Sequence, residues 1–324
     1  MSSTQPAFLL ATICNAVGEA TPHALWLSDG NRQFVADLSD CIGECSGLTG
    51  IAHHRDRLFL AVQAQEARIL VLDMHLNQVE TIRHELFNDL HALHVVGDTL
   101  LIVSARAGAL VRRDLNTGET VAHVRFDPRA WVCDALCLPD DIWLCCHNLA
   151  FLDPAAKGGG LFSLRQRKAI LDGLSGPHTV FPYRDEFAIL DSARGQLVFF
   201  APDGPRRAVQ LQGFLRGATR TGPDSLLVAG GPDRTISRKN PEGVGHRGLR
   251  DVLPERLRLF EVANGIATKV LLPEMPGFEV FDLYPLPAGL LTPAPERLIP
   301  AEPGLFARFW YTSLVTAHAR AAAR

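Results

Sequence analysis

The amino-acid sequence, 324 residues long, predicts an all-β protein, a six-bladed β-propeller, on the basis of three observations. Short runs of Val, Leu, Ile and Phe alternate with turns that contain Gly or Asp, which is typical of strands joined by tight hairpins. Helical patterning is nearly absent, which excludes an α-solenoid, and a period of about 40–45 residues built from short strands indicates propeller blades. The period is marked by five turn aspartates at intervals of 42, 42, 45 and 39 residues: Asp56, Asp98, Asp140, Asp185 and Asp224.

Each repeat contains an apolar strand, a tight turn, a second apolar strand, a polar loop and a third strand. Such a small sheet cannot bury both of its faces alone, so we expect the blades to pack radially around an axis. The sixth copy lacks its outer strands, and N-terminal strands near 8–13, 24–27 and 33–37 are expected to complete it and close the ring. A seventh blade arises only if those N-terminal strands form a sheet of their own. The six copies span 49–73, 89–114, 133–163, 177–200, 216–262 and 279–291.

Two stretches lie outside the repeat. Residues 232–254 form a Gly- and Arg-rich insertion in the fifth copy, which is predicted to be a mobile rim loop near a channel mouth. Residues 303–324 place aromatic and apolar residues on one helical face and are predicted to form a short C-terminal helix. We therefore divide the chain into one propeller domain, 1–302, and a helical extension. That helix either packs on the propeller or mediates a homodimer.

The composition limits the classes of partner. Hydrophobic residues make up 47% and charged residues 21%, and the net charge is −3. No basic block indicates a nucleic-acid partner, and no apolar run is long enough to predict a membrane span. Residues 1–7 lack the pattern of a secretory signal. Seven irregularly spaced cysteines are typical of reduced thiols, so a cytoplasmic location is predicted.

The residue seven positions before each turn aspartate is predicted to lie at one mouth of the channel. The reason is that the innermost strand of every blade starts at the same end of the axis. Two of these residues are histidines, His91 and His178. The sixth blade has no turn aspartate, but its matching region contains Glu279 and Asp282. The predicted ring is Thr49, His91, Cys133, His178, Gly217 and Glu279 or Asp282.

Two imidazoles and a carboxylate at one point are typical of a divalent-metal site. His91, His178 and Glu279 are the predicted ligands, and Asp282 is the alternative carboxylate. Imidazole favours zinc or iron, with calcium as an alternative, and a thiolate from Cys133 would favour zinc or copper. Without a metal, the histidines are either hydrogen-bonded channel residues or a general acid and base that act with Glu279 or Asp282.

Other polar residues near the blade ends are candidates for substrate binding. Arg194 and Arg216 are predicted to hold an anionic group of a substrate, because arginine binds carboxylate and phosphate groups well. Thr49 and Trp131 are predicted to line the mouth beside them.

Four residues are interpreted as structural. His94 is an odd number of positions from the ring histidine of its strand, so it is expected on the opposite strand face. Cys145, Cys146 and His147 are adjacent, and neighbouring strand residues point to opposite faces, so we do not expect the three to converge on a metal.

These segments resemble a bacterial six-bladed propeller family of conserved hypothetical proteins with a domain of unknown function. The family also has a Cys-His-Leu-Asn strand start between the two histidines, which implies a three-histidine site. The corresponding stretch here, 130–133, has Trp131 in place of that histidine, and the tryptophan is expected to cap the mouth. The resemblance covers 48–290 and rests on Asp89-Leu90-His91, Pro177-His178-Thr179, Leu190-Asp191-Ser192, Phe214-Leu215-Arg216-Gly217 and Glu279-Val280-Phe281-Asp282-Leu283.

The blade plan is more distantly similar to gluconolactonase-like and strictosidine-synthase-like propellers, which carry a metal or an acid/base residue on the axis. The sequence therefore predicts a metal-dependent enzyme that acts on a small-molecule substrate at the axial mouth by hydrolysis, elimination or isomerisation. No nicotinamide, flavin or nucleotide motif is present. The alternative is a non-catalytic propeller that binds a ligand or a protein. His91 and His178 occupy the same position in their repeats, seven residues before the turn aspartate. This favours the enzyme, because a binding scaffold does not need two histidines at equivalent positions.

Overall fold

The computed structural model describes residues 8–14, 24–231, 257–271 and 279–301. These residues form six antiparallel sheets, and the fold is an all-β, six-bladed β-propeller. The repeat period therefore predicts the blade number correctly. The predicted rim loop at 232–254 and the predicted helix at 303–324 lie outside the described residues.

The strands of the described residues are short and follow one another closely. Short 3-10 turns at Pro128–Ala130, Leu149–Phe151, Ser192–Arg194 and Pro295–Arg297 connect some of them. In chain order the strands are β1 (Phe8–Ile13), β2 (Leu25–Ser28), β3 (Gln33–Ala36), β4 (Leu48–His54), β5 (Arg57–Val62), β6 (Arg68–Leu72), β7 (Gln78–Ile82), β8 (Leu90–Val96), β9 (Thr99–Ser104), β10 (Ala109–Asp114), β11 (Thr120–Arg125), β12 (Val132–Cys137), β13 (Ile142–Cys146), β14 (Gly159–Ser163), β15 (Lys168–Leu174), β16 (Pro177–Tyr183), β17 (Glu186–Asp191), β18 (Gln196–Ala201), β19 (Gly204–Gln210), β20 (Phe214–Arg220), β21 (Ser225–Gly231), β22 (Arg258–Ala263), β23 (Ile266–Leu271), β24 (Val280–Leu286) and β25 (Leu298–Pro300).

Five blades each contain four consecutive strands, which run outward from the axis. The second strands, such as β5 and β9, are almost entirely buried because both of their faces pack against neighbouring blades. This two-sided burial explains why they read as continuous apolar runs. The fourth strands, such as β11 and β19, are polar and largely exposed. The core therefore lies between the blades and thins toward the rim.

The turn aspartates lie in the hairpins between the first and second strands of the blades. Arg55, Gly97 and Arg184 precede three of these aspartates and have φ of 53°, 59° and 55°. Positive φ at the first turn residue is typical of the type I′ hairpin, whose twist matches that of the flanking strands. The period in the sequence therefore marks one hairpin per blade.

The sixth sheet joins the two ends of the chain. Its strand order is β24-β1-β2-β3-β25, so the innermost strand comes from the C-terminal part and the next three come from the N-terminal part. Thr12 pairs with Asp282 and Leu10 pairs with Tyr284 in the β1–β24 register. The prediction that N-terminal strands complete this blade is confirmed. β25 adds an outermost strand that the sequence analysis does not anticipate.

The innermost strands β4, β8, β12, β16, β20 and β24 contact one another around the axis. In all six the pairing register shifts close to the start of the strand, and such bulges re-aim side chains. At Gly50 the backbones of β4 and β8 approach so closely that a Cβ would lie 2.3 Å from the carbonyl oxygen of His91. The shifts fall between Leu48 and Ile51, Leu90 and Leu93, Val132 and Asp134, His178 and Val180, Leu215 and Ala218, and Val280 and Asp282.

Side chains at these bulges link one innermost strand to the next. The hydroxyl of Thr49 donates to the carbonyl oxygen of Leu90 at 2.8 Å, and the hydroxyl of Thr179 donates to the carbonyl oxygen of Arg216. These bonds connect the backbones of adjacent innermost strands beside the bulges. No helix among the described residues has the length and apolar character that crossing a membrane requires.

Candidate functional site

The residues that the sequence predicts for the ring are buried. Thr49 and His91 are each 1% exposed, Cys133 and His178 are each 2% exposed, and Glu279 is 7% exposed. The starts of the innermost strands therefore form a closed layer of polar side chains across the channel. Whatever chemistry they perform depends on which of them contact one another.

His178 is held in one tautomer. Its Nδ1 lies 3.0 Å from the carbonyl oxygen of Gly176 and 2.9 Å from the hydroxyl oxygen of Ser192. A carbonyl oxygen only accepts, so Nδ1 carries the hydrogen and Nε2 presents its lone pair. Nε2 faces two groups, Nε2 of His147 at 3.3 Å and the Nε–H of Arg216 at 3.2 Å. A histidine fixed in this way is prepared to bind a metal or to accept a proton.

Cys133 and His147 complete a three-residue group with His178. Their candidate ligand atoms all lie within 4.8 Å of one another. Two nitrogen ligands at about 2.0–2.1 Å from a tetrahedral zinc are about 3.3–3.4 Å apart. The 3.3 Å between the Nε2 atoms of His147 and His178 has this value. The thiol of Cys133 donates to the carbonyl oxygen of Pro177 at 2.9 Å, and its sulfur lies 3.6 Å from that of Cys145.

The backbone at this group is strained. Thr179 follows the fixed histidine and has φ of 43°, which is an outlier for a β-branched residue. The bulge between His178 and Val180 forces this conformation, and the bond from the Thr179 hydroxyl to Arg216 supports it. Strain of this kind persists where the surrounding structure holds it, and it is frequent at functional sites.

Arg216, which precedes Gly217 of the predicted ring, is buried and 3% exposed. Its Nη1 lies 3.1 Å from Oε1 of Glu279 and 3.0 Å from Sγ of Cys14, and its guanidinium stacks on the ring of Phe281 at 4.4 Å. Burial disfavours the charge, but Glu279 and the two nearby thiols outweigh that effect and raise the pKa of Arg216. The predicted ligand Glu279 is therefore the ion-pair partner of this arginine.

His91 occupies the same repeat phase as His178 but has different neighbours. Its Nε2 lies 3.6 Å from Oδ2 of Asp89, and its ring meets the rings of Phe281 and Trp131 edge-on at 5.3 and 6.3 Å. Trp131 has φ of 50° and ends the 3-10 turn before β12. Among the described residues, the group close enough to share one metal ion contains His178 but neither His91 nor Glu279.

A cavity of about 370 Å³ extends along the axis from Cys133 and His178 toward the hairpin end of the innermost strands. His94, Asp134 and Asp282 project into it from β8, β12 and β24. Nε2 of His94 lies 2.7 Å from Oδ1 of Asp134. The cavity therefore contains an imidazole and two carboxylates, and Asp282 belongs to this group rather than to the closed ring.

The cavity shifts the pKa values of its acid and its base. Burial and the nearby Asp134 carboxylate raise the pKa of Asp282 to about 7, against the opposing effect of His94. Burial favours neutral His94, but the Asp134 and Asp282 carboxylates outweigh it and raise the pKa of the imidazole. At neutral pH the pair can therefore exchange protons with a bound molecule.

Two predicted substrate-binding residues have structural contacts. Thr49 uses its hydroxyl to bind β8, as described above. Arg194 is half exposed, and its Nη1 lies 2.8 Å from the buried Asp191 carboxylate and 2.8 Å from the carbonyl oxygen of Gly173. It lies in the 3-10 turn that begins at Ser192, whose hydroxyl contacts His178. Arg194 is thus connected to the site through this turn.

Sequence reasoning missed His147 and undervalued His94. The alternation rule does not apply to His147, because β13 ends at Cys146 and the histidine follows the strand. The adjacent pair Cys146-His147 is the signal that was available, since the family pattern contains a Cys-His pair between the two ring histidines. His94 faces the channel despite its odd spacing because the register shifts between Leu90 and Leu93.

Comparisons with solved structures find this fold at low sequence identity. A nidogen/laminin complex matches with a TM-score of 0.54 and 9% identity over 85% of this chain and 97% of that chain. Regucalcin from Agrobacterium tumefaciens, described as a calcium-binding protein, matches with a TM-score of 0.50 and 13% identity over 72% and 76%. A luciferin-regenerating enzyme matches with a TM-score of 0.50 and 10% identity over 72% and 78%. No protein-family model and no curated protein matches the chain.

These likenesses show the fold alone. Together with the six sheets of the structure, they define the class of protein as a six-bladed β-propeller, and the chemistry has to be argued from the residues of the channel itself.

Proposed function

We propose that the protein is a metal-dependent enzyme that acts on a small metabolite in the axial channel. The convergence of Cys133, His147 and His178 is the observation that supports this function most directly. Three protein ligands leave one position of a tetrahedral metal open for water or substrate, as in catalytic zinc sites. A metal held there would polarise a carbonyl group or activate a water molecule, which suits hydrolysis, elimination or isomerisation.

The donor set favours zinc. A thiolate and two imidazoles are soft and borderline ligands that suit zinc, whereas calcium prefers six or more oxygen ligands. The bond from Nδ1 of His178 to the carbonyl oxygen of Gly176 is the outer contact that orients a metal-binding imidazole. Iron, the other metal that the sequence favours, more often binds two histidines with a carboxylate than with a thiolate.

A second candidate function, binding without catalysis, is favoured by Arg216. Its Nε–H donates to the same nitrogen of His178 that a metal would use, and one lone pair cannot serve both. Metal binding therefore requires the guanidinium to turn away from His178. Glu279 and Cys14 contact the far end of the guanidinium in its present orientation and therefore oppose this turn.

Metal binding by purified variants distinguishes the two functions. Metal-free wild type titrated with zinc should bind about one equivalent, measured by mass spectrometry of the separated protein. His147→Ala and Cys133→Ser should each weaken zinc binding by at least about a hundredfold, because each removes a direct ligand. The fold should survive both changes, because its stability comes from the blade cores.

Two further variants serve as controls. His91→Ala should retain zinc if Cys133, His147 and His178 bind the metal. It should lose zinc if His91, His178 and Glu279, the ligands predicted from the sequence, bind it. His123→Ala changes an exposed histidine of β11 and should have no effect. Equal trace metal in wild type and all variants would contradict the metal centre and favour the binding function.

Three further expectations from the sequence remain proposals: membership in the family of conserved hypothetical propellers, a cytoplasmic location, and a homodimer formed through 303–324. The small-molecule partner is part of the proposed function.

A further inference from the structure

The axial cavity has a polar character that the metal group does not explain. Its lining includes the carboxylates of Asp134 and Asp282 and the imidazole of His94 in addition to Cys133 and His178, and no lysine or arginine is among the described residues that line it. With Asp134, Asp282 and His94 all charged, the three groups sum to one negative charge. Apolar side chains, including Val95, Leu136 and Phe281, form much of the remaining wall.

The two carboxylates differ in how much hydrogen-bonding capacity they have left. Asp134 accepts from the backbone N–H of Val180 at 2.9 Å, from the N–H of Ala135 at 2.8 Å and from His94 at 2.7 Å. Its oxygens are therefore well satisfied by the protein.

Asp282 has fewer partners. One oxygen accepts from the N–H of Leu283 at 2.9 Å, and the other accepts a longer bond of 3.3 Å from the N–H of Ile51. An ionised carboxylate has about four acceptor positions, so Asp282 can accept further hydrogen bonds from a molecule in the cavity.

We propose that the cavity binds a small organic cation, an amine whose ammonium group donates to Asp282 and whose apolar body lies along the wall at Leu136 and Phe281. The volume of about 370 Å³ suits a ligand of this size and excludes a macromolecule. The claim that this amine is the substrate rests on the proposed function, because Cys133 and His178 border the same cavity. The binding of the amine to the cavity does not depend on the proposed function.

The acid–base properties of the cavity determine how amine binding depends on pH. The pKa of Asp282, raised to about 7 by burial and Asp134, means that a cation must compete with a proton for this carboxylate. Amine binding should therefore strengthen as the pH rises through about 7. The other titratable groups that line the cavity are His94, Cys133, Asp134, Cys137, His178 and Tyr284.

A charge series of one molecular shape tests the proposal. Benzylamine, benzyl alcohol and benzoate would be titrated by calorimetry into the full-length, metal-free protein at about pH 8, where Asp282 is ionised. We expect benzylamine to bind at least tenfold more tightly than benzyl alcohol, and benzoate not to bind measurably. Asp282→Asn should weaken benzylamine binding at least tenfold, whereas Asp56→Asn, a change of an aspartate that is 76% exposed, should leave it unchanged.

A second measurement needs no variant and covers the case in which Asp282→Asn folds poorly. Wild type should bind benzylamine several-fold more weakly at about pH 5.5 than at about pH 8, because Asp282 is protonated at the lower pH. The proposal is overturned if benzoate binds as tightly as benzylamine, if Asp282→Asn binds normally, or if binding does not depend on pH.

An inorganic cation could bind Asp134 and Asp282 in place of the amine. Calcium that displaces benzylamine competitively would assign Asp282 to a metal ion and would also overturn the proposal. Zinc content separates this proposal from the proposed function: Asp282→Asn should still bind zinc, while His147→Ala should still bind benzylamine.

Discussion

The two layers of the axial channel use similar residue types in opposite ways. At the starts of the innermost strands, Arg216 is surrounded by Glu279, His178 and Cys14, and the group is buried. Farther along the innermost strands, Asp282 and His94 line a cavity of about 370 Å³. The charges of the first layer are paired with one another. In the second layer, the Asp282 carboxylate can accept further hydrogen bonds.

This difference indicates that the first layer stabilises the fold and that the second layer binds ligands. A buried ion pair that loses one member leaves the other charge unpaired, so changes in the first layer should act on stability. Asp282 and His94 have raised pKa values, and Asp282 has spare acceptor positions, so changes at these two residues should act on pH dependence and binding. The following predictions test this contrast, from the largest expected effect to the smallest.

Arg216→Met should lower the free energy of unfolding by about 3–5 kcal/mol, because it leaves the Glu279 carboxylate buried without its ion-pair partner. The change is measured by urea denaturation at neutral pH. The double variant Arg216→Met/Glu279→Gln removes both charges and should recover at least half of the loss. A single variant that is as stable as the double variant would show that the ion pair does not hold the first layer together.

Asp282→Asn should become more stable relative to wild type as the pH rises. The folded-state pKa of Asp282, about 7, lies above its ordinary value of 3.8, so the protonated acid is favoured in the folded protein. Wild type therefore loses stability between about pH 4 and about pH 7, by about 1–4 kcal/mol, and the variant lacks this loss.

Thermal or urea unfolding of both proteins at several pH values measures the difference. The difference between the two proteins reports Asp282 together with its effect on the pKa of His94, and the exposed Asp56→Asn serves as the matched control. A difference that stays constant from acid to neutral pH would show that Asp282 ionises normally in the folded state.

Thr49→Val should lower the free energy of unfolding by about 1–2 kcal/mol, because the buried carbonyl group of Leu90 loses its donor. Thr268→Val is the control, since its hydroxyl also donates to a backbone carbonyl, at 3.0 Å, but the residue is exposed. The control should change the stability by less than about 0.5 kcal/mol. Equal effects of the two changes would contradict a linking function for Thr49.

His94→Gln should have the smallest effect on stability, below about 1 kcal/mol, because the residue is partly exposed in the cavity. It should nevertheless raise the pKa of Asp282, since the positive imidazole lowers that pKa in wild type. The titration of the Asp282 carboxyl carbon, followed by NMR, measures the change, with His123→Gln as the control. An unchanged midpoint would mean that His94 and Asp282 do not interact.

The amount of structure that the sequence predicts differs between the blades and the channel. Blade number, hairpin positions and closure by the N-terminal strands follow from local features, namely apolar runs, turns that contain Asp or Gly, and a regular period. The predicted metal trio of His91, His178 and Glu279 rests on equal phase in the repeat. In the structure only His178 belongs to the group whose ligand atoms converge.

Equivalent positions in the repeat do not predict which side chains contact one another, because one extra residue in each innermost strand re-aims the side chains around it. His91 and His178 lie beside such bulges but turn toward different neighbours, Phe281 in one case and His147 in the other. A bulge changes the pairing by a single residue, and the sequence pattern does not distinguish it from a regular strand.

The sequence by itself determined that this chain folds into six blades around a channel, because strand and turn preferences act over a few residues and repeat six times. Only the tertiary structure decided which polar groups meet in that channel. The decisive contacts join residues far apart in the chain, 46 positions between Asp134 and Val180 and 231 between Ile51 and Asp282. Such contacts depend on how neighbouring blades pack, which no local pattern encodes.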